Sequence, residues 1–505
     1  MNRKIIKFSK LIKIISDEKI KKKRIILCHG VFDLMHIGHI KYFQEAKAMG
    51  EVLVVTITPD RFVNKGPARP AFNEQHRAEV IAALDVVDYV AINEWPTAIK
   101  TIKDLKPDFY VKGSDYKDYS QDLTGNILLE EEAVKSLGGE IAFTSGITFS
   151  SSAIINQHIS QLSNEQKEYI DNLRAKYKFN EIVKYFESLT KLKVLLVGEV
   201  IIDEYVFCNT MGKSGKEPVL VSKKLNVEKY AGGILSVANQ ISDFCKEGKI
   251  LSYLGERDDQ NEFINQNLSS NINLDFIIKS NSPTILKTRF IDNYTKTKSL
   301  GVYDINDNLL KKHEEEELYL KIDDIIDQYD VVITVDYGHG LLTPKIINQI
   351  ENKSNYLAVN TQMNSFNMGH HTLSKYSDVN YVCVHEGELR NDYRDHKNNI
   401  ENLTESLSKR MNTEVIVITK GDEGSMVYDN NDFINCPAYA DKVVDRIGAG
   451  DTLLAITSLC FAVGMPKDLT LLIGNLAAAE MVASIGTGMK LSKTNILKSI
   501  QSLLK

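Results

Sequence analysis

Along two stretches of this chain, short apolar runs alternate with helix-length amphipathic segments, and this alternation constrains the fold more than any other feature. Parallel strands buried on both faces read as continuous apolar runs. Each needs a crossover helix to reach its neighbour, so the pattern predicts α/β sheets. The first block opens with Ile25-Ile26-Leu27-Cys28, passes a Gly/His-rich turn and enters a helix near Gly38. Further strands are expected at Val52–Thr58, Tyr89–Ile92, Phe109–Val111 and Glu140–Phe143, and a helix behind Ser150-Ser151-Ser152 closes the block near residue 160. Ahead of the block, Ile5, Ile6, Leu11, Ile12, Ile14 and Ile15 form an amphipathic stripe. Charges interrupt every candidate signal-peptide core there, so a helix packed on the first domain is expected.

Residues 161–190 lack Pro and Gly and are highly charged, which predicts a helical connector. A second α/β block starts at Lys193–Val197 and runs onward. The expected organisation is therefore a domain over 1–160, a connector over 161–190 and a second domain over 191–505. A chain of 505 residues suits this, since roughly two to four domains are usual at such a length.

The net charge of -6 gives no reason to expect nucleic acid as a partner. Six scattered cysteines without CxxC or zinc spacing point to a reducing, cytoplasmic setting. No apolar run approaches the roughly 18 residues that a membrane span needs.

His36-Ile37-Gly38-His39 lies between a buried-strand signal and a helix. The glycine lets a ligand approach the backbone, and the helix N-terminus offers N–H groups to phosphate. Two imidazoles one turn apart can donate hydrogen bonds to a triphosphate as charge builds in the transition state. A lone HxGH occurs by chance, but its surroundings are specific. Gly30 to His39, GVFDLMHIGH, resembles the nucleotidyltransferase superfamily of glycerol-phosphate, ethanolamine-phosphate and heptose-phosphate enzymes. The resemblance continues through Lys65-Gly66-Pro67-Ala68-Arg69-Pro70, Arg77, Lys112-Gly113-Ser114-Asp115 and Ser150-Ser151-Ser152, and so covers roughly residues 24–160. It implies a Rossmann-like domain in which His36 and His39 stabilise the α-phosphorus as pyrophosphate leaves. Gly30, Phe32, Gly38, Lys65, Arg77 and Ser150–Ser152 would bind nucleotide, and Asp33, Lys112 and Asp115 would bind substrate. The attacking group is the substrate's own phosphate oxygen, so no protein base is required. Mg²⁺ would bridge phosphate oxygens of CTP or ATP.

Gly448-Ala449-Gly450-Asp451 precedes a long apolar-periodic segment. A glycine turn opening a helix makes an anion hole from backbone N–H groups, and an aspartate there can take a proton from an attacking hydroxyl. From about residue 193 to 500 the chain resembles the ribokinase-like (PfkB) carbohydrate kinases, most closely the kinase half of bifunctional heptose-phosphate kinase/nucleotidyltransferases. The resemblance rests on Gly198 to Asp203, Gly232-Gly233, Asp336 to Gly340, Thr419-Lys420-Gly421 with Gly424, and Asn475. It implies that Asp451 is the base, that Gly448, Ala449 and Gly450 form the anion hole, and that Thr419, Gly421, Gly424 and Asn475 bind ATP. Asp203, Gly232, Gly233, Ser236 and Asp336 would bind sugar, and Glu388 would help to hold Mg²⁺. The residues between Tyr205 and Tyr230 would form a small β lid that supports a homodimer.

The chain departs from that family at Ser236, Ile447, Asn360-Thr361-Gln362 and His385. Its two domains also stand in the reverse of the kinase-first order known in the bifunctional heptose enzymes. The expected function is phosphorylation of a sugar or sugar phosphate, followed by nucleotidyl transfer onto a phosphate. The alternative is a transferase carrying a degenerate, sugar-sensing kinase-like domain.

Overall fold

Helix α1 (Phe8–Ile20) turns Phe8, Leu11 and Ile15 into the core at helical spacing. Behind it come β1 (Ile25–Gly30), α2 (Ile37–Lys47), β2 (Val52–Ile57), α3 (Glu74–Ala82), β3 (Tyr89–Ile92), α4 (Ile99–Leu105), β4 (Phe109–Lys112), α5 (Asn126–Lys135) and β5 (Glu140–Phe143). The strands form one parallel sheet in the order β3-β2-β1-β4-β5, with apolar clusters on both faces. The order reverses direction between β1 and β4, which opens a crevice at the C-terminal ends of the strands.

This computed structural model describes residues 3–67, 69–117, 125–145, 162–258, 260–364, 367–368, 371–413, 415–430, 432–486 and 488–505. The helix expected behind Ser150–Ser152 lies outside them. The chain divides into two compact units, Met1–Ser163 with Thr494–Lys505, and Asn164–Lys493.

The second unit begins with α6 (Asn164–Lys176) and α7 (Phe179–Leu189), where a helical connector was expected. Both are tied into this unit: the Asp468 carboxylate accepts from Tyr177 Oη at 2.8 Å and pairs with Lys176 at 2.7 Å. Then follow β6 (Lys193–Gly198), β7 (Val200–Lys213), β8 (Leu220–Gly233), α8 (Ile234–Ile241), β9 (Glu247–Gly255), α9 (Asn261–Asn267), β10 (Ile272–Lys279), β11 (Ile285–Asp292), β12 (Lys298–Asp304) and α10 (Lys312–Asp323). The remainder comprises β13 (Val331–Asp336), α11 (Pro344–Lys353), β14 (Leu357–Thr361), β15 (Tyr381–His385), α12 (Glu386–Tyr393), α13 (Ile400–Met411), β16 (Val415–Thr419), β17 (Ser425–Asp429), β18 (Asp432–Cys436), α14 (Ala449–Ala462) and α15 (Lys467–Val482).

Nine strands make the main sheet, β10-β9-β6-β13-β14-β15-β16-β17-β18, parallel up to β16 and antiparallel beyond it. Four more, β12-β11-β7-β8, make a small separate sheet where the lid was expected. Helix α16 (Lys493–Leu504) follows the second unit in sequence, yet residues from Thr494 onward belong to the first. It buries Ile496, Leu497, Ile500 and Leu503 along one face.

Candidate active sites

In the first unit, β1 ends at Gly30, where a Cβ would stand 3.0 Å from the Phe32 ring. Phe32 itself has φ 49, a left-handed conformation that is costly for a bulky residue. This strained turn sets the Phe32 ring against Phe43 and edge-on to His39, with centroids 5.5 Å apart. His36 caps α2 by accepting the Gly38 N–H at Nδ1, 3.1 Å away, and its ring stacks on His39 at 3.9 Å. Burial pushes His39 down to about 3, helped by the neighbouring His36 and Lys65 against a weak opposing pull from the Leu34 carbonyl. Burial lowers His36 as well. Both rings are therefore neutral N–H donors at a helix N-terminus whose dipole already favours an anion.

Lys65 is pushed down to about 8 by burial, with Asp33 resisting and the Lys505, Arg69 and Lys498 charges adding to the fall. It faces a pocket of 300 Å³ at the ends of β1, β2 and β4, which Gly30 and Lys112 also line. Lys112 pairs with Glu130 at 2.9 Å and lies over the Tyr110 and Tyr116 rings. His29 reaches the same wall, but its ring nitrogens are held by Thr56 at 2.9 Å and Thr58 at 3.3 Å. Ser150–Ser152 and the Asp115 side chain lie outside the described residues.

Two expected ligand-binding residues are tied to neighbouring loops. Arg77 was expected to neutralise a triphosphate, but its side chain is fully buried. Its guanidinium donates to the Phe72 carbonyl at 2.9 Å, the Thr58 carbonyl at 2.9 Å, the Val31 carbonyl and the Asp60 carboxylate at 2.6 Å. It fastens the loops after β1 and β2, as a planar fork of donors can. Asp33 was expected to meet substrate; it is buried, accepts the Phe72 N–H at 3.1 Å and pairs with Arg69 at 3.3 Å.

In the second unit Gly448, at φ 84, opens α14. Gly450 has nothing within 4 Å of a notional Cβ, so the space before the helix stays clear. Asp451 is buried in the first turn and accepts from Tyr337 Oη at 3.3 Å and from Gln362 Nε2. Burial pushes its carboxyl up to about 7, with Asp203 and Glu388 adding to the rise against Tyr337 and Lys287. A carboxylate poised near neutrality suits a general base.

Beside it a pocket of 490 Å³ brings together Thr419, Gly421, Gly424, Ala449, Gly450 and Asn475. Gly424 is at φ 96 with the Cys436 carbonyl 2.2 Å from a notional Cβ, so only glycine fits there. Glu388 lines this pocket too, its carboxyl raised by burial. Its oxygens accept the His385 N–H at 2.9 Å and the Met363 N–H at 3.0 Å. Each oxygen keeps a second lone pair, and no cluster of three or more metal-ligating side chains occurs among the described residues. That donor set fits a Mg²⁺ held mainly by phosphate oxygens and water.

Asp203 pairs with Arg289, and the absent side chain of Gly232 makes room for its carboxylate, which lies 2.2 Å from a notional Cβ. Gly233 is held at φ 56. The parallel register of β7 with β11 places Lys287 opposite Asp203. Burial lowers the Lys287 amine against the pull of Asp203. The sequence reading missed Lys287, Arg289 and Tyr337. The Lys-x-Arg spacing on one strand face was the available signal, and Tyr337 stands next to a residue that was selected. That residue, Asp336, is buried: its carboxylate accepts from Tyr376 Oη at 2.9 Å and Gly338 N–H at 3.1 Å, and it pairs with Lys375. Ser236, expected at the sugar, is fully buried with no hydrogen-bond partner for Oγ.

A glycine-opened helix presenting a buried aspartate, beside a small sheet that carries a paired carboxylate, is the arrangement on which the resemblance to ribokinase-type carbohydrate kinases rests. The chain belongs to the pfkB family of carbohydrate kinases, which it matches over residues 191–494, and it carries a cytidylyltransferase-like domain over residues 27–157. It is 42% identical over 130 residues to a bifunctional protein HldE of Geobacter metallireducens, covering 25% of each chain. It is 28% identical over 305 residues to one of Campylobacter jejuni subsp. doylei, covering 60% of this chain and 63% of the other. The chain thus spans between a quarter and just under two thirds of the length of these curated relatives. A crystal structure of Escherichia coli phosphofructokinase-2 with potassium shares the fold at a TM-score of 0.51 and 13% identity, over 63% of this chain and all of the other. No helix among the described residues is long and apolar enough to cross a membrane.

Proposed function

We propose that the chain is a bifunctional enzyme of nucleotide-activated sugar synthesis. The second unit phosphorylates a sugar or sugar phosphate with ATP, and the first transfers CMP or AMP from CTP or ATP onto a sugar or polyol phosphate. The observation that carries this reading is the presence on one chain of the stacked His36–His39 pair and the buried Asp451, each at a helix N-terminus.

In the kinase, the Asp451 carboxylate takes the proton of the sugar hydroxyl. The freed oxygen bonds to the γ-phosphorus, the bond to the bridging oxygen breaks and ADP leaves. The first-turn N–H groups behind Gly448 hold the charge that develops. In the transferase, an oxygen of the acceptor phosphate bonds to the α-phosphorus, and pyrophosphate leaves. His36, His39 and Lys65 hold the triphosphate and stabilise the spreading charge without exchanging a proton. Glu388 would help to hold Mg²⁺, which would offset the charge of the phosphate oxygens.

The small sheet exposes Met211, Leu220, Leu300 and Val302, and these support a homodimer formed through it. A cytoplasmic location fits six free, buried cysteines. The poised Asp451 favours an active kinase over a degenerate sugar-sensing domain.

The test is a screen of purified protein with Mg²⁺, each of the four NTPs and a panel of heptose, glycerol and hexose phosphates, following pyrophosphate. In parallel, sugars and sugar phosphates are incubated with ATP to follow ADP. Turnover in both arms is expected. Pyrophosphate without ADP would favour the degenerate second domain, and ADP without pyrophosphate would refute the transferase.

A further inference from the structure

Helix α16 brings two lysines into the first unit that the chemistry above leaves unused. The loop after β2 is fastened to this helix: Asn64 Nδ2 donates to Asn495 Oδ1 at 3.2 Å, and a Cβ on Gly66 would meet the Ser499 Cα at 3.4 Å. On the same face Lys498 and Lys505 line the 300 Å³ pocket together with Lys65 and Lys112. Among the described lining residues Glu130 is the one acidic side chain, and it is engaged by Lys112 at 2.9 Å and Tyr110 Oη at 2.9 Å. Four lysines thus line one concave, half-enclosed surface. Lys505 and Lys498 both help to push the Lys65 amine down, so the cluster carries a repulsion that a bound anion would relieve.

Nucleotidyl transfer needs two anions held in line, a triphosphate and the phosphate that attacks it. The stacked histidines at the head of α2 suit the triphosphate, and neither ring is part of the pocket lining. Lys65 stands between the two regions: it lines the pocket, and its charge reaches His39. Resting on the transferase reading above, we propose that this pocket receives the phosphate group of the acceptor, bound by Lys498 of helix α16 and Lys505 just after it, together with Lys65. These lysines stay protonated and exchange nothing. The only bond formed joins an acceptor-phosphate oxygen to the α-phosphorus, and the only bond broken releases pyrophosphate. A helix encoded after the kinase unit thus completes the acceptor side of the transferase pocket.

The experiment uses the full chain with Lys498→Gln and Lys505→Gln combined, with Lys498→Arg/Lys505→Arg as the charge-retaining pair and His39→Ala as a transferase control. Steady-state pyrophosphate release is measured with the NTP and sugar phosphate that support wild-type turnover, and inorganic phosphate is titrated by calorimetry. The glutamine pair should raise KM for the sugar phosphate at least tenfold, leave KM for the NTP within twofold and weaken phosphate binding. The arginine pair should restore both. An unchanged acceptor KM overturns the proposal, and so does an equal rise in KM for the NTP, which would assign the lysines to the triphosphate. Wild-type protein that releases no pyrophosphate with any NTP would sink the transferase reading itself. The phosphate titration then still decides whether α16 builds an anion site.

Discussion

The two units place chemistry at the same kind of address, the N-terminus of a helix that follows a parallel strand or a glycine turn, but burial acts on opposite charges there. In the first unit it pushes His39 down to about 3, so a potential cation waits as a neutral donor. In the second it pushes Asp451 up to about 7, so a carboxylate waits at the threshold of ionisation. Desolvation disfavours the charged form of either group. The outcomes differ because the charged forms differ in sign, and on the proposed function each suits its reaction: one site needs donors that stay put while charge develops, and the other needs a group that accepts a proton. Positioning suffices for the first, and the second must tune a base.

The strongest way to break that comparison is a crossed pair of variants. Asp451→Asn keeps the shape and removes the base, and ADP formation should fall by about 10³-fold with pyrophosphate release unchanged. His39→Ala should cut pyrophosphate release by about 10²–10³-fold and leave ADP formation intact. Loss of both activities in either variant would show that the units do not work separately.

How far the sequence alone reached follows the same division. The parallel strands were legible nearly to the residue, since Tyr89–Ile92 and Glu140–Phe143 were read with the boundaries observed. In the first unit these are short runs bounded by turn residues, and that shortness and those boundaries, more than periodicity, favour strands over helices. The places of His36, His39 and Asp451 at helix starts were legible because glycines mark their turns. The edge strand β12 was not, because its Lys298–Asp304 run is largely exposed and carries no apolar alternation. Nor was the meeting of Lys287 with Asp203, which depends on the register of strands 84 residues apart. Arg77 and Asp33 were selected through the resemblance as ligand-binding residues, and their loop partners depend on tertiary placement that a sequence does not print. Helix α16 was assigned to the second domain through chain continuity, which carries no information about the surface a helix packs on.

Arg77 provides the next test. If its guanidinium holds the loops and does not touch the triphosphate, Arg77→Lys keeps the charge and still loses the fork. Thermal unfolding of the first unit should then show a loss of about 3 kcal/mol, the usual range for breaking a buried, hydrogen-bonded charge. The NTP KM of the fraction that remains folded should change little. A stable variant with a raised NTP KM would instead restore Arg77 to the triphosphate.

A pH series then sharpens the contrast in sign. Asp451 works as the carboxylate, so kcat/KM for ADP formation should rise about tenfold per pH unit below about 7 and level off above it. Lys65 works as the cation, so kcat/KM for pyrophosphate release should be level through neutrality and fall above about 8. His39, neutral throughout, should add no limb between pH 5 and 8. Parallel profiles would mean that the two sites are not tuned in opposite directions.

The smallest effect falls on Ser236, which separates packing from recognition within the second unit. Its hydroxyl is sealed in the first helix after the glycine pair and has no partner, so it contributes a desolvation cost without a compensating bond. Ser236→Ala removes that cost and one atom's volume, and should stabilise the second unit by about 1 kcal/mol in thermal or urea unfolding. The sugar KM should not move, because a hydroxyl closed to solvent is closed to substrate as well. A severalfold rise in that KM would mean that the β lid and α8 open to admit the sugar, with the unsatisfied hydroxyl held ready for it. The small stability gain forgone by the natural serine would then be a requirement of binding.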